Sequence, residues 1–484
     1  MDKALKTILG GISLTKDNIK VDSRRVKAGD IFFAIKGTVY DGHDYVKEVL
    51  EKGASRVLCE RACPDLAKEA RKKVIIVKDS REALADAARH LFNDPAKNLS
   101  VYGVTGTNGK TTTVFLIDSI LNHASRSSGL VSTVFTKSSG DELKRSSMTT
   151  PDAISLNRLL REMVTCGKKA AVIEISSHAL SQKRVWSIAL DSAVFTNITP
   201  EHLDYHKDME AYLRDKSKIF RNLKSGGVAA LNVDDPMVIG LAHSMDFSHL
   251  VTFGMESSAD VRAKDVELSA GGTSFELSMK GLGSARVDSP LIGMHNVYNM
   301  LAASAALLKS GLGLAEIKEG LEKAPLVKGR LEAVGEDAPF GVFVDYAHTP
   351  NALENVLKCL KPLAKGRLIC VFGCGGDRDK TKRPLMGKIA AQISDSVIIT
   401  SDNPRTENSM DILKDIEKGV LNKNNYSIID KRQDAIQKAL REAESGDIVI
   451  IAGKGHEDYQ IIGREVIHFD DKEVASQVLK SLGY

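Results

Sequence analysis

Gly103-Val104-Thr105-Gly106-Thr107-Asn108-Gly109-Lys110-Thr111-Thr112-Thr113 is the stretch that decides the fold. The strand-like Ser100–Val104 runs into it, and an amphipathic helix starts at about Lys110. A strand, a glycine-rich turn and a helix in that order make a phosphate cradle. Glycines let backbone N–H groups approach phosphate oxygens, and the helix N-terminus adds positive potential. Lys110 would reach the β- and γ-phosphates, and Thr111 would offer its hydroxyl to Mg²⁺. The match to GxxxxGK[ST] is imperfect, because position 104 carries valine. A nucleotide site alone names no reaction.

Further apolar strands follow at Ala170–Ile175, Ser192–Thr196 and Gly227–Asn232, alternating with helical patterns, as in a mostly parallel sheet. Residues 255–290 differ, with short alternating strands and glycines that predict a local antiparallel hairpin region. Upstream, residues 1–96 predict a small α/β unit, and Asn93-Asp94-Pro95 is a plausible boundary. Downstream, Gly341–Asp345, Arg367–Phe372, Ser396–Thr400 and Asp447–Ala452 predict a doubly wound α/β domain that binds ligands at the carboxyl ends of its strands. The expected division is therefore 1–96, 97–327 and 328–484, which suits a chain of 484 residues at about 100–200 per domain.

Composition narrows the function. Lys+Arg is 67 against 63 Asp+Glu, and there is one tryptophan, Trp186. A balance that even, with few aromatics, argues against a nucleic-acid surface. The N-terminal stretch MDKALKTILGGISL lacks a signal-peptide core, and no run approaches the ~18 apolar residues of a membrane span, so a cytoplasmic location is expected. Cys59, Cys63, Cys166, Cys359, Cys370 and Cys374 form no CxxC pair and read as reduced thiols, with Cys374 in a glycine-rich turn that a ligand could approach.

Strand ends should carry the chemistry. Glu174 interrupts the apolar run Val172-Ile173-Glu174-Ile175; a buried carboxylate there either faces a cation or makes a structural ion pair. His202 and His206 are four apart, as a zinc pair on a helix would be, but HExxH and a third ligand are missing. Lys216-Ser217-Lys218 reads from periodicity as a solvated basic face.

Taken in order, GTNGKTT at 106–112, TTPD at 149–152, EISSHAL at 174–180, NITPEHLDYH at 197–206, GMHNVYN at 293–299, KGRLE at 328–332, DYAHTP at 345–350 and DNPR at 402–405 resemble the Mur ligase family across essentially the whole chain. The resemblance implies a UDP-binding domain, a central ATPase domain and a C-terminal domain that closes over the site. It implies that ATP phosphorylates the D-glutamate carboxylate of UDP-N-acetylmuramoyl-L-alanyl-D-glutamate, and that an incoming amine displaces phosphate from the acyl phosphate.

By the same resemblance Gly106, Thr107, Asn108, Gly109, Lys110, Thr111 and Thr112 contact ATP, with Asn296, Arg330 and Asp345 near adenine, phosphates and ribose. Thr111, Glu174 and His202 lie at the Mg²⁺ sites, with Lys216 carbamylated; Lys110, Glu174, His202 and Lys216 are the implied catalytic set. Val21, Ser23, Thr38, Val39, Tyr40, Thr149, Thr150, Ser176, Gln182 and Arg184 would hold the UDP-linked substrate, although the 38–40 loop departs from the family pattern. Arg378, Asp402, Asn403, Pro404, Arg405, Gly453 and Glu457 would hold the incoming amino acid. The arginine of DNPR resembles the members that add meso-diaminopimelate, whose second carboxylate a guanidinium can grip bidentately. The implied partners are small molecules only, acting on a monomer without nucleic acid or membrane. Two alternatives are a ligase of this fold with another acceptor, L-lysine or a different diamino acid, or more distantly folylpolyglutamate synthesis, and a non-catalytic nucleotide-binding homologue.

Overall fold

The computed structural model describes residues 14–15, 17–256, 258–269, 271–335, 337–420 and 424–484; the N-terminal stretch up to residue 13 lies outside them. Three α/β units follow one another, each built on its own sheet.

The first sheet has four parallel strands in sequence order: β1 (Ile19–Lys20), β2 (Ile31–Phe33), β3 (Arg56–Cys59) and β4 (Val74–Ile76). The helix Ser80–Leu91 closes this unit, and Asp79 caps it by accepting from the amides of Arg81 and Glu82. Asn93 and Asp94 then adopt left-handed backbone, and Pro95 starts a new turn. The helix packs Ala85 and Ala88 against Ala153 of the next unit, small side chains that allow close approach. Lys183 of that unit reaches back to Asp79 at 2.6 Å and Glu82 at 2.5 Å.

The central sheet has eleven strands: β5 (Ser100–Thr105), β6 (Ser128–Val131), β7 (Phe135–Lys137), β8 (Lys144–Arg145), β9 (Ala170–Glu174), β10 (Leu190–Phe195), β11 (Leu223–Asn232), β12 (His249–Gly254), β13 (Val261–Ser269), β14 (Gly272–Met279) and β15 (Gly283–Ser289). Their order is β15-β14-β13-β12-β11-β10-β5-β9-β6-β7-β8. From β6 to β13 the neighbours run parallel. The segment read as a local antiparallel hairpin region does form antiparallel pairs, β13 with β14 and β14 with β15, and it also extends the main sheet, because β13 pairs parallel with β12 through Phe253 and Val261. Short turns and alternating side chains mark antiparallel pairing in a sequence, but not the partner of its first strand.

Alternation along the parallel strands sorts the core into two faces. Tyr102, Val104, Val172 and Val194 pack with Val114, Ile117 and Leu121 of the helix Lys110–His123 and with the helix Met294–Leu307. Val101, Ile173 and Phe195 pack on the other face with Leu156 and Leu160 of the helix Ala153–Thr165. Gly103 sits where the strands crowd; a Cβ there would lie 2.8 Å from Ile175 Cδ1 and 2.9 Å from Leu190 Cδ1.

The third sheet contains β16 (Glu332–Ala333), β17 (Gly341–Asp345), β18 (Leu368–Phe372), β19 (Ser396–Ile399), β20 (Tyr426–Ile428) and β21 (Ile448–Ala452), in the order β16-β17-β21-β18-β19-β20. All pairs but β16–β17 are parallel. Cys370, Phe372 and Ile450 face one helical layer, and Val371, Ile398 and Val449 the other, which is the expected doubly wound arrangement. A separate hairpin, β22 (Tyr459–Ile462) with β23 (Glu465–His468), follows β21. Arg432 and Asp471 form a fully buried pair at 2.7 Å, and Arg432 also donates to Ala452 O at 2.9 Å, tying the last helix to the end of β21. Among the described residues no helix is long and apolar enough to cross a membrane.

Candidate active site

The carboxyl ends of β5, β9 and β10 meet the third unit around a cavity of about 930 Å³. The loop after β5 lines it from Thr107 to Thr112. Gly109 caps the helix in left-handed backbone (φ 82°). Gly106 has φ 149°, and a Cβ on it would sit 1.9 Å from Thr196 Oγ1, so only glycine lets the loop pass this close to the end of β10. Lys110 curls over the loop and donates to Gly106 O at 3.0 Å and Thr107 O at 2.7 Å.

Glu174 ends β9, almost wholly buried. Thr111 Oγ1 donates to its Oε2 at 3.0 Å, and the backbone N–H of Thr133 donates to the same oxygen at 2.8 Å. Thr133 Oγ1 lies 2.9 Å from Oε1 and 3.0 Å from Thr149 Oγ1. Among the described residues, the hydrogen bonds this carboxylate accepts come from hydroxyls and an amide, none from a cation. A buried carboxylate with such neighbours suits a divalent metal. Among the described residues no three His, Cys, Asp or Glu side chains cluster as a metal site. A cation here would therefore draw ligands from phosphate oxygens as well, the usual habit of Mg²⁺.

Lys216 faces the same cavity and is 1% exposed. Its Nζ donates to Gly106 O at 2.5 Å and lies 4.5 Å from the centre of the Tyr212 ring. Burial, with the charge of Lys110 nearby, holds this amine well below its usual pKa, against the opposing pull of Glu201 and Glu174. Burial thus favours the uncharged form of this amine. Lys218 instead ion-pairs with Asp215. The solvated-face reading of this segment therefore fails for Lys216, because the helix Met209–Ser217 turns that side chain inward beneath the phosphate loop.

His202 and His206 part company. His206 is buried, its Nδ1 2.8 Å from Asp215 and its Nε2 3.0 Å from Ser177 Oγ, so both ring nitrogens are occupied structurally. His202 opens onto the cavity in left-handed backbone, with Glu201 3.7 Å from its Nε2. Desolvation by the walls lowers its pKa to about 4, outweighing Glu201. Burial alone would raise the Glu201 carboxyl, but His348, His202 and Lys110 together hold it well below the usual range.

The third unit completes the cavity. Arg330 Nη2 donates to Thr111 Oγ1 at 3.2 Å and its guanidinium lies 4.7 Å from the Tyr346 ring centre, while among the described residues its buried Nε has no hydrogen-bond partner. Asp345 ends β17, accepting from Leu331 N at 2.7 Å and Ala347 N at 2.8 Å. Burial raises its pKa against the opposing charge of Arg330. Asn108 bonds Asn351 at 3.0 Å and Glu201 meets His348 Nε2 at 3.3 Å, two further bridges between the units. Asn296 also lines the cavity, bonded to Ile292 O and Asn299.

Residues 104–307 match the Mur ligase middle domain, 329–455 the Mur ligase glutamate ligase domain, and 16–91 the Mur ligase family catalytic domain. The chain is 46% identical over 466 residues to the UDP-N-acetylmuramoyl-L-alanyl-D-glutamate–2,6-diaminopimelate ligase of Halalkalibacterium halodurans, covering 96% of this chain and 94% of that protein. The chain belongs to the Mur ligase family. It is 44% identical to the Bacillus licheniformis ligase of the same name, over 96% of this chain and 95% of that one. A solved structure of a ligase with that name superposes at a TM-score of 0.68, with 32% identity over 99% of both chains.

Against that family the remaining residues fall into three groups. Thr150 Oγ1 donates to Glu174 O, Ser176 N donates to Thr150 Oγ1, and Arg184 donates to Thr150 O and Gln182 Oε1. Thr149, Thr150, Ser176, Gln182 and Arg184 thus form one linked cluster at the end of β9. Val21, Ser23, Thr38, Val39 and Tyr40 stand apart on the first unit; Val39 and Tyr40 are exposed on a turn closed by Gly37 N and Tyr40 O. They do not line the large cavity.

The third group lies at the ends of β18, β19 and β21. Arg405 has left-handed backbone, joined to Ile461 and Gly463 of the hairpin, and donates from Nη1 to Gly376 O at 2.7 Å. Asn403 Nδ2 donates to Glu457 Oε2 at 2.9 Å. Gly453 (φ 117°) passes Asp402 so closely that a Cβ would meet its Oδ2 at 2.8 Å. Pro404 continues the same loop, its carbonyl 1.9 Å from where a Cβ on Gly376 would sit. Arg378 is exposed and donates to the carbonyl of Asp377 at 3.0 Å. Cys374 does not serve this site: it is buried against Met386, 3.7 Å away, and burial pushes its thiol up to about 12.

Thr133, Glu201, Tyr212 and His348 belong to the cavity although the sequence reading passed over them. Glu201 and His348 lie inside quoted motifs, so attention to each motif's other polar residues would have found them. Thr133 had no signal, because only the adjacency of β6 and β9 brings it to Glu174.

Proposed function

We propose that the protein joins meso-diaminopimelate to the D-glutamate side-chain carboxylate of UDP-N-acetylmuramoyl-L-alanyl-D-glutamate, at the expense of ATP, in peptidoglycan precursor synthesis. The observation that carries this reading is the shared cavity. The phosphate loop, Glu174 and Lys216 on one side face Arg330 and Asp345 on the other, in a chain 46% identical to a relative named for that reaction.

A carboxylate is a poor electrophile, so it must first gain a leaving group. Residues 106–112, with Asn296, Arg330 and Asp345, would hold ATP so that its γ-phosphoryl group passes to the carboxylate, releasing ADP. Lys110 and the orphaned Nε of Arg330 would stabilise the charge that spreads over the transferring oxygens. The amine of the incoming amino acid then attacks the acyl carbon, the C–O bond to phosphate breaks, and the ammonium proton is lost. Mg²⁺ held near Thr111, Glu174 and His202 would neutralise phosphate charge. Lys216, whose burial favours the uncharged amine, would add CO₂, forming an N–C bond and shedding a proton, and so present a carboxylate to the metal region.

Thr149, Thr150, Ser176, Gln182 and Arg184 would take the sugar-peptide, and Val21, Ser23 and the 38–40 turn the UDP end. Arg378, the 402–405 loop, Gly453 and Glu457 would take diaminopimelate. The division of labour follows residues 1–96, 97–327 and 328–484, in a cytoplasmic monomer using intracellular ATP. Phosphate release from ATP with the UDP-dipeptide, comparing meso-diaminopimelate with L-lysine, tests this. Turnover confined to diaminopimelate is the expected result. Turnover with lysine would overturn the acceptor, and none with either would overturn the reaction.

A further inference from the structure

Lys454 is fully buried, yet nothing in the reaction above uses it. It stands between Gly453 (φ 117°) and Gly455 (φ 52°), and neither glycine has room for a side chain: a Cβ on Gly455 would lie 2.7 Å from Tyr346 Cβ. The chain therefore doubles over at this point and sends the lysine inward. Its ammonium has three N–H donors and meets three acceptors: Tyr459 O, Asn403 Oδ1 at 3.4 Å and Glu457 Oε2 at 3.4 Å. Those acceptors come from three separate segments: the loop after β19, the turn after β21 and the first strand of the hairpin.

A buried ammonium is tolerated only when paired and fully hydrogen-bonded, and removing either partner strands the other. Lys454 therefore does more than fill space. It occupies Glu457 Oε2 together with Asn403 Nδ2, so the carboxylate is held by one oxygen. Oε2 carries two donors, Asn403 at 2.9 Å and the Lys454 ammonium at 3.4 Å, whereas among the described residues Oε1 meets the neutral Tyr346 hydroxyl at 3.4 Å, which leaves it the oxygen better placed to accept from a ligand ammonium. Asn403 is fixed in turn, because its Oδ1 also accepts from Ile461 N at 3.0 Å. The same hairpin strand bridges to Arg405 through Ile462.

We infer that Lys454 is the positioning residue of the amino-acid subsite, a buried ammonium that orients Glu457 and Asn403 toward the incoming diamino acid without touching it. The inference rests on the proposed function, since it assigns Glu457 to the distal ammonium of that substrate.

The test is steady-state kinetics of full-length wild type, Lys454→Met, Lys454→Gln, Glu457→Gln and the Lys454→Met/Glu457→Gln double variant, each with all three substrates varied. Lys454→Met should raise the KM for diaminopimelate roughly tenfold to a hundredfold, the range set by one charge-assisted hydrogen bond. The KM for ATP and for the UDP-dipeptide should stay within about twofold, since those sites lie elsewhere. Lys454→Gln, which keeps N–H donors but no charge, should fall between. In the Glu457→Gln background Lys454→Met should have a smaller effect, because the group it orients is already altered. An unchanged amino-acid KM, additive effects, a parallel rise in all three KM values, or loss of the folded protein would each overturn the inference, the last two by showing a purely structural lysine. Wild-type turnover with diaminopimelate reports on the proposed reaction independently of any Lys454 variant.

Discussion

Replacing Arg405 probes the proposed acceptor site most directly. Its backbone is immobilised on both sides: Arg405 N donates to Ile461 O at 3.0 Å, and Gly463 N donates to Arg405 O at 2.7 Å. The left-handed φ of 53° then sets where the side chain starts. One guanidinium N–H is committed to Gly376 O at 2.7 Å, and the fork as a whole presents five donors. A two-pronged bond to a carboxylate therefore remains open to it. A hydrogen bond between charged groups contributes about 1.5–3 kcal/mol, or roughly 10- to 150-fold in affinity. Arg405→Ala should raise the KM for meso-diaminopimelate by that factor and leave kcat within about threefold, because the lost contact is to a carboxylate remote from the reacting amine. Arg405→Lys retains a point charge without the fork and should lie between. The assay is initial-rate phosphate release at saturating ATP and UDP-dipeptide, with diaminopimelate and then L-lysine varied. Lysine lacks the second carboxylate, so the preference for diaminopimelate should shrink by the same factor. An unchanged KM, or a loss confined to kcat, would refute the argument that this guanidinium grips the distal carboxylate.

Three other outcomes follow from the geometry. Gly106→Ala would place a Cβ 1.9 Å from Thr196 Oγ1, which itself holds Asn108 O at 2.7 Å, so the phosphate loop must shift and the Kd for ATP, measured by calorimetry, should rise about tenfold or more; wild-type affinity would show that the loop has slack. Lys216→Met preserves length and burial but removes the amine, and should lower kcat about 100- to 1000-fold in the absence of added small carboxylates; near-normal turnover would exclude the amine from the chemistry. Burial lowers the pKa of His295 to about 4, below the usual 6.5, so the unfolded chain binds its proton first and stability falls as pH drops through 6.5 toward 4. At pH 5 this amounts to at most about 2 kcal/mol, and His295→Gln should flatten the fall of melting temperature between pH 7 and 5; an unchanged slope would show that this imidazole is not held neutral.

Much of the site was legible before any tertiary information. The phosphate loop declared itself because a strand, glycines and a helix start are local features with local causes. Glu174 was conspicuous because a carboxylate in an apolar run must have a reason to be there, although its sequence could not distinguish a cation from an ion pair. Lys216 was the opposite case. Its neighbours made it look like one more solvated lysine, and only the family resemblance singled it out. The structure supplies the physical ground, an amine 1% exposed beneath the Gly106 carbonyl, while Lys218 two residues on is tied to Asp215. The zinc-like spacing of His202 and His206 was resolved in the same way, since one ring is sequestered between Asp215 and Ser177 and the other opens on the cavity.

By itself the sequence determined the elements whose forces act over a few residues: the buried strands, the glycine turns and the motif order that marks the family. Tertiary structure alone decided which distant groups meet. Examples are Thr133 against Glu174, Glu201 against His348, β13 pairing with β12 to continue the central sheet, and Lys454 gathering Asn403, Glu457 and Tyr459. The reason is physical. Local propensity is set by backbone sterics and side-chain period, which a short stretch contains in full. Burial, by contrast, depends on which surfaces pack together, and the charge state and partners of a lysine or histidine follow from that burial.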